Sequence, residues 1–121
     1  MWDSNAAANY VRQHAQSQSG GNCAKYVRKA IEAGGISVAP TLSAKDYGFP
    51  LRQAGFIELG DALSPRRGDV IVIQPIPGHP HGHMAMFDGS RWISDFVQDN
   101  GFYPGKEYRT QKPPYKLYRH H

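Results

Sequence analysis

The period of the apolar residues changes once along this chain, near residue 56, and separates a helical half from a stranded half. Cys23, Val27, Ala30, Ile31 and Gly34 fall at i, i+4, i+7, i+8 and i+11, the buried stripe of an amphipathic helix. That helix is expected to open at Asn22, a residue type that caps helix starts, and to close at Gly34-Gly35. An earlier helix is predicted over residues 6–12, capped by Asp3 or Ser4 and ended by the polar run Ser17-Gln18-Ser19-Gly20-Gly21. Residues 43–47 read as a short helix, continued after a break by 50–55.

From Phe56 onward the signals are those of strands. Residues 56–59 form a short one. Pro65-Arg66-Arg67-Gly68-Asp69 is a turn, and the β-branched run Val70-Ile71-Val72-Ile73 reads as a central strand. A loop with Pro75, Pro77 and Pro80 leads to a strand over 83–87, then a turn at Asp88-Gly89-Ser90 and a further strand over 91–97. Residues 98–114 read as irregular, and 115–118 closes the sheet. Helices followed by an antiparallel meander define an α+β fold, with N-terminal helices packed on an antiparallel sheet.

At 121 residues the chain is expected to form one domain, 1–121. Thirteen glycines and nine prolines argue for many turns and against a helical bundle. No apolar stretch approaches the ~20 residues of a membrane span. Met1-Trp2-Asp3-Ser4-Asn5 has neither a basic nor an apolar leader region, so export is expected by a non-Sec route, or the domain is cut from a larger protein. The formal net charge of +4 suits a partner with negative charge: nucleic acid, an acidic lipid surface or an anionic cell-wall polymer. The basic residues form no dense stripe, so no nucleic-acid partner is expected. A monomer is expected, and His120-His121, which resemble the remnant of a purification tag, receive no role.

A single cysteine excludes an intramolecular disulfide. Cys23 sits in Gly20-Gly21-Asn22-Cys23-Ala24-Lys25-Tyr26-Val27, the first turn of its helix, where free N–H groups and the helix dipole favour thiolate over thiol. His83, in Gly82-His83-Met84-Ala85-Met86-Phe87, offers a base. A three-residue loop at Asp88-Gly89-Ser90 places Phe87 opposite Arg91 and hence His83 opposite Asp95 on one face of the sheet. A carboxylate there orients the imidazole, giving a nucleophile, a base and an orienter: Cys23, His83 and Asp95. Loops of two or four residues move Asp95 to the other face. Asp69, in its turn, reads as structural.

Taken in order, Asn22-Cys23-Ala24-Lys25-Tyr26-Val27, Ser64-Pro65-Arg66-Arg67-Gly68-Asp69-Val70-Ile71-Val72 and Gly82-His83-Met84-Ala85-Met86-Phe87-Asp88-Gly89 resemble the NlpC/CHAP group of papain-like cell-wall hydrolases. The resemblance covers roughly residues 20 to 97, and Asp95 lies where that group places its third polar residue. It implies a papain-like fold and hydrolysis of an amide in the peptidoglycan stem peptide through an acyl-enzyme, with no cofactor. It also implies an oxyanion held by the Cys23 backbone N–H, aided by a side chain from ahead of the cysteine, with Gln18 and Tyr10 as candidates. Trp92, with Tyr26, Phe96 and Tyr103, is a candidate for a substrate groove. Such an enzyme acts in the periplasm or on the cell wall. It suits an interbacterial toxin of the type VI amidase effector kind, which requires an immunity protein in its producer, and equally a phage lysis enzyme.

Two other functions compete. His79, His81 and His83 alternate and suit a metal-binding module, although Pro80 and Gly82 oppose a regular strand there and Cys23 is left unexplained. A non-catalytic wall-binding domain on the same fold leaves the Cys23, His83 and Asp95 set without a purpose.

Overall fold

The computed structural model describes residues 1–60 and 64–121. Its first helix, α1 (Ser4–His14), is capped by Asp3, whose carboxylate accepts from the Ala6 N–H at 3.0 Å. The second, α2 (Cys23–Ala33), ends at Gly34 and carries Val27, Ala30 and Ile31 on its buried face. The expected stripe is therefore the observed one. The Asn22 side chain does not cap this helix: its Nδ2 donates to the Gly20 carbonyl at 3.2 Å. A 3-10 turn (Ala44–Asp46) and α3 (Gly48–Gln53) follow.

Among the described residues six strands form one antiparallel sheet: β1 (Ile57–Leu59), β2 (Val70–Ile73), β3 (His83–Phe87), β4 (Trp92–Ile93), β5 (Val97–Gln98) and β6 (Tyr115–Arg119). Their spatial order is β1-β6-β2-β3-β4-β5, all neighbours antiparallel. This is not a simple meander, because the last strand inserts between the first two. All four residues of β2 are buried, since both faces of the sheet are covered. Val70 and Val72 pack with Met84, Met86 and the helices, whereas Ile71 and Ile73 pack with Ala85, Trp92 and Tyr108. Each fully buried isoleucine contributes about 1.5–3 kcal/mol of hydrophobic free energy. The start of β2 is tied to the end of β6 by Asp69, which is 1% exposed and pairs with Arg119 at 2.7 Å while accepting from the Arg66 N–H. Asp69 is structural, as expected.

Three further expectations are corrected. The strand over 91–97 is broken into β4 and β5, because Ser94, Asp95 and Phe96 form a tight turn in which the Ser94 N–H donates to the Phe96 carbonyl at 3.0 Å. Residues 98–114 are not wholly irregular: they contain α4 (Lys106–Gln111), which ends at Lys112 in the left-handed region with Pro113 next. His120 has a packing role, its ring lying 5.7 Å from that of Trp2 and 5.3 Å from that of Phe56.

Candidate active site

Cys23 is the first residue of α2, part-exposed, with its sulfur near the start of β3. The first-turn N–H groups of a helix have no partner within the helix. The backbone of Met84, and then those of Ala24 and Cys23 itself, favours the charged sulfur. Burial opposes them and wins, helped by the negative charge of Asp95, and the thiol is pushed up to about 11. The shift runs opposite to the expected thiolate, because desolvation at this helix start outweighs the dipole.

His83 opens β3. The residue before it has to be glycine. Gly82 adopts φ +71°, and a Cβ there would run into the Ile73 carbonyl oxygen of the neighbouring strand. His83 is 6% exposed, and burial lowers its imidazole to about 4, against the opposing pull of the Gln98 hydrogen bond and the Asp95 charge. Thiol and imidazole are therefore both neutral at rest near pH 7.

The partner of His83 is Gln98. Its Oε1 lies 2.7 Å from His83 Nε2, and its Nε2 donates to the carbonyls of Gly101 at 3.1 Å and Phe102 at 2.8 Å. Those two carbonyls accept only, so they fix the amide with its NH₂ toward them and its oxygen toward the ring. The oxygen in turn requires the imidazole proton on Nε2, which leaves Nδ1 as a bare acceptor. The register explains the meeting. Phe87 pairs with Trp92 and Trp92 with Gln98, so His83, Ala85, Phe87, Trp92 and Gln98 share one face.

Asp95 does not lie opposite His83. The loop after β3 has four residues, because Asp88 Oδ1 accepts from the N–H groups of both Ser90 and Arg91 and the Asp88 N–H donates to the Arg91 carbonyl. That turn pairs Phe87 with Trp92 instead of Arg91 and shifts the register by one residue. Asp95, 1% exposed, turns to the segment ahead of Cys23. Its Oδ2 accepts from the Gly20 N–H at 2.8 Å and the Asn22 N–H at 3.0 Å, with the Ser19 hydroxyl at 3.5 Å. It anchors the approach to the helix that bears the thiol.

Cys23 and His83 line one cavity of about 400 Å³, walled by the 19–23 segment, the 78–83 loop, Phe96 and residues 104–108. Of the other sequence candidates, Phe96 lies in this wall. Trp92 is 6% exposed and packed in the core against Phe87 and Phe102. Tyr10 stacks on His14 and lines a separate depression with Tyr26, and Gln18 is exposed and outside the cavity wall. The three alternating histidines do not converge. His79 meets Glu107 at 3.2 Å, His81 meets Ser43 at 2.6 Å and His83 meets Gln98, and among the described residues no group suited to a metal ion is found. Sequence reasoning missed Gln98 and Tyr108, the second of which lines the cavity from α4.

Fold and site together define an α+β protein in which a helix-borne thiol and a strand-borne imidazole with a fixed tautomer face one cavity. The chain is similar to the crystal structure of the type VI native effector–immunity complex Tae3–Tai3 from Ralstonia pickettii. Identity is 61% and the TM-score 0.96, over 99% of this chain and 100% of that one. It is similar also to the selenomethionine form of that complex, at 63% identity and a TM-score of 0.90, over 93% of this chain and 98% of that one. This chain belongs to the Tae3 family of type VI effectors. It matches no protein-family profile and no curated protein.

Proposed function

We propose that this protein is an antibacterial type VI effector that hydrolyses an amide bond of the peptidoglycan stem peptide, as a cysteine amidase or endopeptidase of the papain-like NlpC/CHAP kind. The observation that carries this reading is the pairing of Cys23 and His83 on one cavity, with His83 Nε2 engaged by Gln98 and Nδ1 left to accept a proton. The family relationship places the reading among effectors, and the relative's occurrence in an effector–immunity complex supports a cognate immunity protein as partner here. The net charge of +4 suits an anionic wall polymer.

Chemistry starts from the neutral pair. The Cys23 sulfur attacks the substrate carbonyl carbon as the thiol proton passes to His83 Nδ1. The tetrahedral intermediate collapses, the C–N bond breaks, and His83 gives its proton to the leaving nitrogen. Water, deprotonated by the same imidazole, then cleaves the thioester. The first-turn N–H of Cys23 holds the oxyanion. Gln98, rather than Asp95, orients the base, and Asp95 holds the loop that presents the nucleophile. The protein acts as a monomer of one domain in the periplasm, and among the described residues no helix is long and apolar enough to cross a membrane.

The deciding experiment incubates wild-type protein and Cys23→Ala with purified sacculi and identifies the released muropeptides by mass. Release by wild type and none by Cys23→Ala is expected, since alanine is well tolerated in a helix first turn. The mass of the fragments names the bond cleaved. Substantial release by Cys23→Ala overturns the mechanism. Toxicity in the periplasm of a susceptible host, relieved by co-expressed immunity protein, tests the effector role.

A further inference from the structure

Tyr108 sits on α4 and is 4% exposed, yet it forms part of the wall of the cavity that holds Cys23 and His83. Its ring lies 6.1 Å from the His83 imidazole and 5.3 Å from that of His79, centre to centre. The neighbouring phenol of Tyr103 is occupied: its hydroxyl donates to the Pro113 carbonyl at 2.7 Å. The Tyr108 hydroxyl bonds to none of the described residues. No side-chain oxygen or nitrogen sealed from solvent lacks a partner among them, so this hydroxyl reaches solvent, on a residue that lines the cavity. A buried tyrosine normally satisfies its hydroxyl. Here the hydroxyl is left free of protein partners among the described residues and available to a group that enters the cleft.

We propose that the Tyr108 hydroxyl donates a hydrogen bond to the oxygen of the scissile carbonyl and completes, with the Cys23 N–H, the site that holds the oxyanion. The proposal rests on the reading of Cys23 as an acylating nucleophile. As the S–C bond forms, the carbonyl π pair moves onto oxygen and the thiol proton goes to His83 Nδ1. The charged oxygen is then met by two donors, one from the start of α2 and one from α4. On collapse the C=O bond is restored, the C–N bond breaks, and the proton on His83 leaves with the amine. The hydroxyl is suited to donate and not to act as a base. Burial raises it to about 12, negative charge at Cys23 and Glu107 adds to the rise, and it stays protonated wherever the enzyme works. Neither donor expected from the sequence, Gln18 or Tyr10, lies in the cavity wall.

The test uses Tyr108→Phe, which keeps the ring against His83 and removes an oxygen that no protein group needs. On sacculi, kcat is expected to fall about 100-fold with KM little changed, as for loss of one oxyanion donor. In parallel, N-acetyl-alaninal, which adds to a thiol to give a tetrahedral hemithioacetal, is titrated into both proteins beside its alcohol, N-acetyl-alaninol. The aldehyde is expected to bind about tenfold more weakly to Tyr108→Phe, with no difference for the alcohol. Equal aldehyde affinity in the two proteins, or a kcat within twofold of wild type, overturns the proposal. A wild type that leaves sacculi intact but shows the Tyr108-dependent aldehyde affinity overturns the wall-hydrolase reading and supports the role of Tyr108.

Discussion

Gln98 and His83, fifteen residues apart and on strands that are not neighbours in the sheet, are joined by a buried 2.7 Å hydrogen bond whose direction is set by two backbone carbonyls behind the amide. The amide cannot turn over without putting its oxygen against the Gly101 and Phe102 carbonyls. The imidazole tautomer is therefore decided by the 101–102 backbone, through Gln98. Removing the amide as Gln98→Ala frees the ring to rotate and to change tautomer. Activity on sacculi is expected to fall about 10- to 100-fold, part of the roughly 10²–10⁴ that a well-placed general base supplies. Gln98→Glu is expected to be no better, because its carboxylate faces those same carbonyls. A Gln98→Ala variant with full kcat would show that the ring is held by other means.

Asp95 acts on the Cys23 side of the cavity, and its two substitutions separate its roles. Asp95→Ala leaves the Gly20 and Asn22 N–H groups without an acceptor, a loss of about 2–3 kcal/mol that is read as a lower denaturation midpoint together with lower activity. Asp95→Asn keeps an oxygen for those groups but removes the charge that raises the Cys23 thiol. Its Cys23 is expected to titrate at lower pH than in wild type and to react faster with iodoacetamide near neutrality. Asp99→Ala is the control, since Asp99 makes only an exposed 3.8 Å contact with Arg91. Slower alkylation of Asp95→Asn than of wild type would contradict the electrostatic role.

That Cys23 opens a helix and His83 a strand was legible in the sequence because the signals are local. A glycine-rich approach to an amphipathic stripe marks the helix start, and Gly82 ahead of the apolar run after His83 marks the start of the strand. The hydrogen-bond partner of His83 was not legible, because it depended on the length of one loop. Asp88 is an ordinary turn residue, but its side chain captures two amides, and that capture makes the loop four residues long and exchanges Asp95 for Gln98. Nothing about a glutamine in a short strand distinguishes one that orients a base from one that faces solvent. Tyr108 was hidden by α4, a six-residue helix with no apolar stripe of its own that is held by packing on the Ile71, Ile73 and Trp92 face.

Charge makes a separate prediction. With fourteen Lys and Arg against ten Asp and Glu, attraction to an anionic wall polymer is long-range and screened. Retention of Cys23→Ala on sacculi is expected to decrease steadily as salt is raised from low ionic strength to about 1 M, where the Debye length falls to about 3 Å. Retention that is flat across that range would make the charge balance incidental to wall binding.

The neutral resting pair fixes the pH behaviour. His83 is held near 4 in the folded protein against 6.5 for an ordinary histidine, so between those values the unfolded chain binds more protons. Stability is therefore full above about pH 6.5 and is lost as pH falls toward 4, by about 3 kcal/mol in all. His83→Asn should lack that acid slope while losing activity. The wild-type activity profile should keep its acid limb low, near pH 4, because the base form of His83 persists down to that point. At the alkaline end the sign reverses. Cys23 is raised to about 11 when folded, so the folded protein holds a proton that the unfolded chain releases above about pH 9, and stability declines from there upward. Iodoacetamide should accordingly label Cys23 more slowly than a free thiol at pH 7–8 and approach the free-thiol rate only as pH nears 11. Labelling faster than a free thiol at pH 7 would mean a resting thiolate, and with it an ion pair with His83 in place of the neutral pair described above.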